Sequence, residues 1–148
     1  MFFVIRIYYG GAVFGIRISD WLFLTTLFSS LYFGTGKRKM EIINNKNSTR
    51  TVLKYYNEEY LQSLLNIFLS LIIICYSLWI INEAFTINFN SVILKISIVE
   101  LVFLLLKYHL NMYSNEFGES PVTIVLKDKV ITILALIFCI TILLAIII

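Results

Sequence analysis

Long apolar runs alternate with short polar stretches along this chain. The continuous runs are Phe2 to Ile16, Trp21 to Gly36, Leu61 to Ile81, Ser91 to His109 and Val130 to Ile148. A helix needs about 20 mainly apolar residues to cross a bilayer, and it satisfies its backbone polar groups internally. Barrel strands would instead alternate apolar and polar residues. The pattern therefore predicts an all-α fold, a polytopic membrane helical bundle of about five transmembrane helices forming a single membrane domain, residues 1–148.

Composition supports this class of protein. Hydrophobic residues make up 59% of the chain, charged residues 14%, and the mean hydropathy is +0.88. Cys75 and Cys139 lie inside apolar runs, so neither a disulfide framework nor a zinc site is indicated. The only histidine, His109, is interpreted as interfacial or packed rather than catalytic. No nucleic-acid partner is expected.

Positive charge is concentrated in one polar loop, residues 37–60. Its cations are Lys37, Arg38, Lys39, Lys46, Arg50 and Lys54. Cytoplasmic loops of membrane proteins carry an excess of Lys and Arg, so we predict that this loop is cytoplasmic and that the chain lies in the plasma (inner) membrane. By parity of the spans, the loop 111–129 lies on the same side.

A basic cluster, Gly-Lys-Arg-Lys-Met-Glu at positions 36–41, follows the second apolar run. Its simplest interpretation is that the cations mark the cytoplasmic end of a span. Glu41 favours a second interpretation, because a helix continuing past Gly36 would place Lys37 and Arg38 on the face of Glu41. Such a face can bind phosphate oxygens directly and through a divalent cation. The cluster is therefore a candidate site for an anionic phosphate ligand.

Charged residues also occur within the apolar runs. Arg6 is close enough to the end of its run to snorkel to the interface, or it could face the same site as the basic cluster. Glu100 is deeper in its run, with Lys95 five residues earlier. A charge inside a membrane is expected to have a partner, so we expect one for Glu100.

Four stretches of the chain that carry its polar residues occur in an order found in a known protein family. They are FFVIRIYYGGAVFGIRISDWLFL, FGTGKRKMEI, TRTVLKYYNEEYLQSLL and GESPVTIVLKDKV. Together they resemble the C-terminal half of the UbiA prenyltransferase superfamily, within it the decaprenyl-phosphate phosphoribosyltransferase branch. The most specific segment is GKRKMEI, which is close to that branch's Gly-Lys-Arg-Arg-x-Glu signature.

The resemblance implies a nine-helix membrane fold of which this chain supplies the last five helices. Members bind a diphosphate substrate through Mg²⁺, held by one polar motif in each half. In this branch, phosphoribosyl diphosphate donates its ribose phosphate to a polyprenyl phosphate. By matching position, the implied phosphate-binding residues are Arg6, Lys37, Arg38, Lys39, Arg50, Lys107 and Lys127. The implied metal ligands are Glu41 and Asp128, and Tyr55 and Tyr108 are further site residues.

The chain departs from the family pattern in several places. No stretch resembles the Asp-rich motif of the N-terminal half, Thr51 stands where the branch has Pro, and Lys107 stands in place of Arg. Lys keeps the charge of Arg but loses its planar bidentate fork. Three interpretations stay open. The chain is the C-terminal portion of a phosphoribosyltransferase, either a fragment or one half of a split enzyme completed by a separate N-terminal half chain. Alternatively it belongs to a UbiA-type prenyltransferase with an aromatic acceptor, or it is a non-catalytic truncated membrane subunit.

We expect Lys37→Ala and Glu41→Ala, each made in a reconstituted complete enzyme, to abolish most turnover while leaving membrane insertion intact. Both changes remove a charged group from the face expected to bind phosphates, and neither lies within an apolar run. Turnover and membrane fractionation measured side by side check this, and normal activity in both variants would remove the site assignment.

Overall fold

The computed structural model of the chain describes residues 5, 6, 9, 10, 13, 19–44, 57–86, 91–114 and 128–147. These residues contain four long α-helices and no strand: α1 (Asp20–Asn44), α2 (Glu58–Thr86), α3 (Ser91–Ser114) and α4 (Lys129–Ile147). They correspond to the last four apolar runs. The few described residues of the first run are also helical. The all-α prediction is confirmed for this part of the chain.

Polar residues define where the helices begin. The carbonyl oxygen of Ser19 accepts a hydrogen bond from Phe23 N at 3.0 Å, and that of Asn57 accepts one from Leu61 N at 3.2 Å. Asp20 in α1 and Glu58 in α2 lie in the first turn, where a carboxylate interacts favourably with the helix dipole. At its other end, α1 continues past Gly36, so the basic cluster is helical.

Hydroxyl groups inside the apolar helices find acceptors within their own helix. Thr25 Oγ1 donates to Trp21 O at 2.7 Å, and Ser29 Oγ donates to Thr25 O at 2.8 Å. Ser77 Oγ of α2 donates to Ile73 O in the same way. Because an unpaired hydroxyl is costly in an apolar medium, these bonds make the polar residues compatible with membrane-grade helices.

The helices pack in chain order, α1 on α2, α2 on α3 and α3 on α4. The larger core joins all four helices, and its buried residues are Tyr32, Met40, Leu65, Leu69, Ile72, Leu105, Tyr108, Met112 and Ile131. A smaller core joins α2, α3 and α4 through Tyr76, Ile80, Leu94 and Ala145. The larger core lies beneath the end of α1 that carries the basic cluster.

Large apolar side chains also cover the outside of the bundle. Exposed examples are Ile67, Ile74, Phe103, Leu136 and Leu143. Within the described part of the chain, the stretch Glu58–Asn82 of α2 is long and apolar enough to cross a membrane, and Lys129–Ala145 is apolar but shorter. The prediction of five transmembrane helices is therefore not confirmed.

Glu100 has a partner, and it is a different residue from its charged neighbour in sequence. Its Oε1 accepts a hydrogen bond from Thr141 Oγ1 of α4 at 3.0 Å, whereas Lys95 is exposed. Glu100 Oε2 is buried and has no hydrogen-bond partner among the described residues. The carboxyl group therefore joins α3 to α4 through one of its two oxygens.

Gly36 marks a close approach between α1 and α3. A Cβ added there would lie 2.7 Å from Met112 Cε, whereas one added at Gly34 would meet nothing within 4 Å. We expect Gly36→Leu to lower the free energy of unfolding by about 1–3 kcal/mol, because extra carbons in a packed core force side chains to shift. Thermal unfolding in detergent measures this change.

Gly34→Leu is the matched control on the same helix. We expect it to unfold at or above the wild-type temperature, because it replaces a glycine in a helix without a clash. Equal destabilisation by the two leucines would show that α1 and α3 do not approach at Gly36.

Candidate functional site

Polar side chains from three helices and from the residue preceding α4 lie at one end of the bundle. Lys39 of α1 contacts Gln62 of α2, Gln62 contacts His109 of α3, and Asn111 of α3 contacts Asp128, which immediately precedes α4. We call these five residues the polar end. Residues 45–56 and 115–127, which connect helix ends at the polar end, lie outside the described residues, so the expectation that these loops share one side is not tested. The side of the membrane stays a prediction.

The outer part of the site lies on the exposed face of α1. Lys37 and Arg38 are exposed, and Arg38 Nη1 lies 3.0 Å from Glu41 Oε2. The side chains of Arg38 and Glu41 are 59% and 23% exposed, and an ion pair this accessible contributes little to stability. The predicted shared face of Arg38 and Glu41 is confirmed, and its cations are accessible to a ligand from solvent.

Lys39 points to the opposite, inner side of the same helix. Only 4% of the residue is exposed, and Nζ donates a hydrogen bond to Gln62 Oε1 at 2.6 Å. Burial lowers the pKa of Lys39, and the nearby carboxylate of Glu58 opposes that shift. Because a buried ammonium loses hydration, its contacts with protein or ligand must replace that water.

His109 of α3 contacts both Gln62 of α2 and Tyr32 of α1. Its Nε2 lies 3.1 Å from Gln62 Nε2, and its Nδ1 lies 3.0 Å from Tyr32 Oη. Gln62 Oε1 already accepts from Lys39, so its amide nitrogen must donate to His109 Nε2. This network assigns a neutral imidazole with its proton on Nδ1, donated to Tyr32. These bonds join residues far apart in the chain, and no sequence pattern predicts them.

Asp128 connects α3 to the start of α4. Oδ1 accepts the backbone N–H of Val130 at 2.8 Å, the geometry of a helix cap, while Oδ2 accepts from Asn111 and lies 3.4 Å from Lys107 Nζ. The Asn111 hydrogen bond lowers the pKa of Asp128, partial desolvation opposes this, and Val130 N–H and Lys107 lower the pKa further. Both oxygens therefore have structural partners.

The remaining candidate residues differ in their surroundings. Tyr108 is buried beside the rings of Tyr32 and Phe33, and its hydroxyl has no hydrogen-bond partner within the described residues. Arg6 is exposed. Arg50, Tyr55 and Lys127 lie outside the described residues.

The predicted metal ligands Glu41 and Asp128 form no metal-binding group with other described residues. Among the described residues, no three or more His, Cys, Asp and Glu side chains come together as a metal-binding group. Glu41 is paired with Arg38, and both oxygens of Asp128 are engaged. These residues do not fit an all-protein Mg²⁺ site, although a single carboxylate such as Glu41 can complete the shell of an ion carried by substrate phosphates.

Curated relatives of this chain share one name, decaprenyl-phosphate phosphoribosyltransferase. The protein from Corynebacterium glutamicum is 29% identical over 143 residues, 93% of this chain and 43% of its own length. That from Mycolicibacterium smegmatis is 29% identical over 90% of the chain and 45% of its own length, and that from Mycobacterium tuberculosis is 27% identical over 90% and 44%. No family model matches the chain.

These relatives confirm the resemblance drawn from the polar segments. The similarity extends along about nine-tenths of the chain, and the chain spans less than half the length of the relatives.

We expect Asp128→Ala to lower the free energy of unfolding by about 1 kcal/mol, because it removes the cap of α4. Asp128→Asn is the matched control, since Asn also caps helices but cannot form the ion pair with Lys107. Denaturant unfolding in detergent should therefore rank Asn between Ala and wild type. Equal stability of wild type and Asp128→Ala would contradict the capping role.

The lowered pKa of Asp128 also predicts a pH dependence. The stabilisation it provides is fully present above its ordinary pKa of 3.8 and is lost as pH falls from there through the lower native pKa. Stability of Asp128→Asn should fall less steeply than that of wild type in this acid range. Parallel curves would contradict the shift.

Proposed function

We propose that this chain is the phosphate-binding portion of a UbiA-type membrane transferase that moves 5-phosphoribose from phosphoribosyl diphosphate to a polyprenyl phosphate. The observation that carries the proposal is the basic cluster of α1, which presents Lys37 and Arg38 outward beside Glu41 and buries Lys39 among polar groups of the neighbouring helices. The names of the relatives supply the substrate class.

A membrane setting follows from the surface of the bundle. Apolar side chains cover the outside of α2, α3 and α4, far beyond the isolated apolar residues usual on a water-soluble monomer. In a bilayer, lipid tails would contact these apolar side chains, and no partner protein would be needed to bury them. The cations would then lie at the membrane interface, where a polyprenyl phosphate presents its headgroup and a soluble diphosphate can arrive from the cytoplasm.

The proposed reaction suits a site rich in cations. The bond from the anomeric carbon to diphosphate breaks, a bond from that carbon to an oxygen of polyprenyl phosphate forms, and diphosphate leaves with the electron pair. Lys37 and Arg38 would stabilise the negative charge that grows on the leaving group, and the arginine fork matches two phosphate oxygens. In this proposal Arg6, Arg50, Lys107 and Lys127 bind further phosphate oxygens, and Tyr55 and Tyr108 complete the site.

Magnesium belongs to the same proposal as an ion that arrives with the diphosphate. It would neutralise phosphate charge, and Glu41 is the residue of this chain best able to contact it, because Glu41 is partly exposed and lies on the face of the cations. Asp128 would contribute only if it gave up a structural partner. Further carboxylates would come from outside this chain.

An N-terminal half would supply the rest of the enzyme. The relatives are more than twice as long as the matched region, and no Asp-rich motif occurs in these 148 residues. We therefore propose that an N-terminal half, either in the same polypeptide or as a separate N-terminal half chain, completes the cavity.

The test is transfer of radiolabel from phosphoribosyl diphosphate to polyprenyl phosphate, with Mg²⁺, in membranes containing this chain, the polypeptide encoded immediately upstream, or both. We expect labelled lipid only when both are present. In the same assay, Lys95→Ala is the matched control for Lys37→Ala. Lys95 is an exposed lysine near the opposite end of α3 from Lys107.

Two results would contradict the proposal. Labelled prenyl product formed from prenyl diphosphate and an aromatic acceptor, with none from phosphoribosyl diphosphate, would identify an aromatic prenyltransferase. Absence of product under every condition would favour a non-catalytic membrane subunit.

A further inference from the structure

A line of side-chain hydrogen bonds connects α1, α2 and α3, and two of its members, Gln62 and His109, have no role in the proposed function. It passes from Lys39 Nζ to Gln62 Oε1 at 2.6 Å, from Gln62 Nε2 to His109 Nε2 at 3.1 Å, and between His109 Nδ1 and Tyr32 Oη at 3.0 Å. The line begins at the buried member of the basic cluster and ends at a fully buried tyrosine.

Gln62 has the arrangement of a positioning group. Its carbonyl oxygen accepts from Lys39, and its amide nitrogen contacts both His109 Nε2 and, at 3.2 Å, Asn66 Oδ1. With both ends of the amide engaged, the side chain cannot rotate without losing hydrogen bonds. These contacts orient the carbonyl oxygen of Gln62, which accepts one hydrogen bond from the Lys39 ammonium.

His109 determines which way round the amide sits. A neutral imidazole with its proton on Nδ1 offers Nε2 as an acceptor, so only the amide nitrogen of Gln62 can face it. The Tyr32 hydroxyl, which can donate or accept, then accepts the Nδ1 proton. The packing of the Tyr32 and His109 rings, whose centroids are 6.2 Å apart, keeps the imidazole in place.

We propose that Gln62 and His109 are positioning residues that hold the Lys39 ammonium on the inner side of α1, where it would bind a phosphate group of the anionic substrate. This inference rests on the proposed function, because the inference requires Lys39 to bind a phosphate of the proposed substrate. It adds Gln62 of α2, which contacts Lys39 directly, and His109 of α3, which contacts Lys39 through Gln62. It also gives a role to two polar side chains that lie between apolar helices. Neither residue is assigned contact with the reacting atoms.

The single histidine makes the arrangement measurable without activity. In chain labelled with nitrogen-15 histidine and held in lipid nanodiscs, the ring nitrogens report the tautomer directly. We expect a neutral ring protonated on Nδ1, whereas free imidazole of histidine prefers the proton on Nε2. Gln62→Met, which removes the donor to Nε2, should shift the signal toward the Nε2–H form. A wild-type ring protonated on Nε2 would overturn the proposal.

Binding of inorganic diphosphate, measured on the same samples together with the upstream polypeptide, tests the functional part. We expect Gln62→Met and His109→Leu to weaken binding about fivefold to tenfold, the loss of roughly one hydrogen bond to a charged or polar group. His109→Gln should restore most of the affinity, because its amide oxygen can replace Nε2 as the acceptor for Gln62. Ser63→Ala, an exposed neighbour of Gln62, is the matched control and should bind as wild type.

The outcomes separate this inference from the proposed function. If wild type binds diphosphate and Gln62→Met binds equally well, the positioning role is wrong and the phosphate site stands. If wild type does not bind diphosphate at all, the proposed phosphate site is wrong and the positioning role falls with it.

Discussion

The hydrogen bond between the Lys39 ammonium and the Gln62 carbonyl is the interaction on which the functional end of this bundle depends. A cation that is 4% exposed has given up nearly all of its water, and it is tolerated only where polar groups replace that water. Gln62 provides such a group from α2. His109 bonds Gln62, and Tyr32 bonds His109. Three helices are thereby fixed relative to one lysine.

The continuation of α1 past Gly36 divides the basic cluster between two environments. Successive helical residues are about 100° apart, so Lys39 lies on roughly the opposite side of the helix from Lys37. Lys37 and Arg38 face outward beside Glu41, while Lys39 faces α2. Gln62 of α2, which accepts from Lys39, also contacts His109 of α3. One short segment can therefore offer cations at the surface and one held inside.

Sequence predicts the features of this chain that depend on neighbours along the helix. Continuous apolar runs located four helices and placed their starts within three residues, whereas α1, α2 and α3 extend five to eight residues beyond the ends of their runs. Spacing of three placed Arg38 beside Glu41. Polar segments also predicted the resemblance to phosphoribosyltransferases, which the relatives confirm. These inferences need only helical periodicity and residue type.

Contacts between helices could not be predicted in this way. His109 was interpreted as packed or interfacial, yet it bonds Gln62 and Tyr32, which are 47 and 77 positions away. The partner of Glu100 is Thr141 of another helix, although Lys95 is nearer in sequence. Such pairs depend on how each helix is rotated about its axis, and a nearly uniform apolar surface leaves that rotation undetermined by the pattern alone.

The most direct measurement is a solid-state magnetic resonance experiment that detects dipolar coupling between lysine side-chain nitrogen-15 and phosphorus-31 of phosphoribosyl diphosphate. The sample is this chain in lipid with the upstream polypeptide. We expect lysine signals to be attenuated by the bound phosphorus, and part of that attenuation to disappear in Lys39→Gln. Attenuation that is absent, or that is unchanged in Lys39→Gln, would contradict the assignment of the buried lysine to a phosphate site.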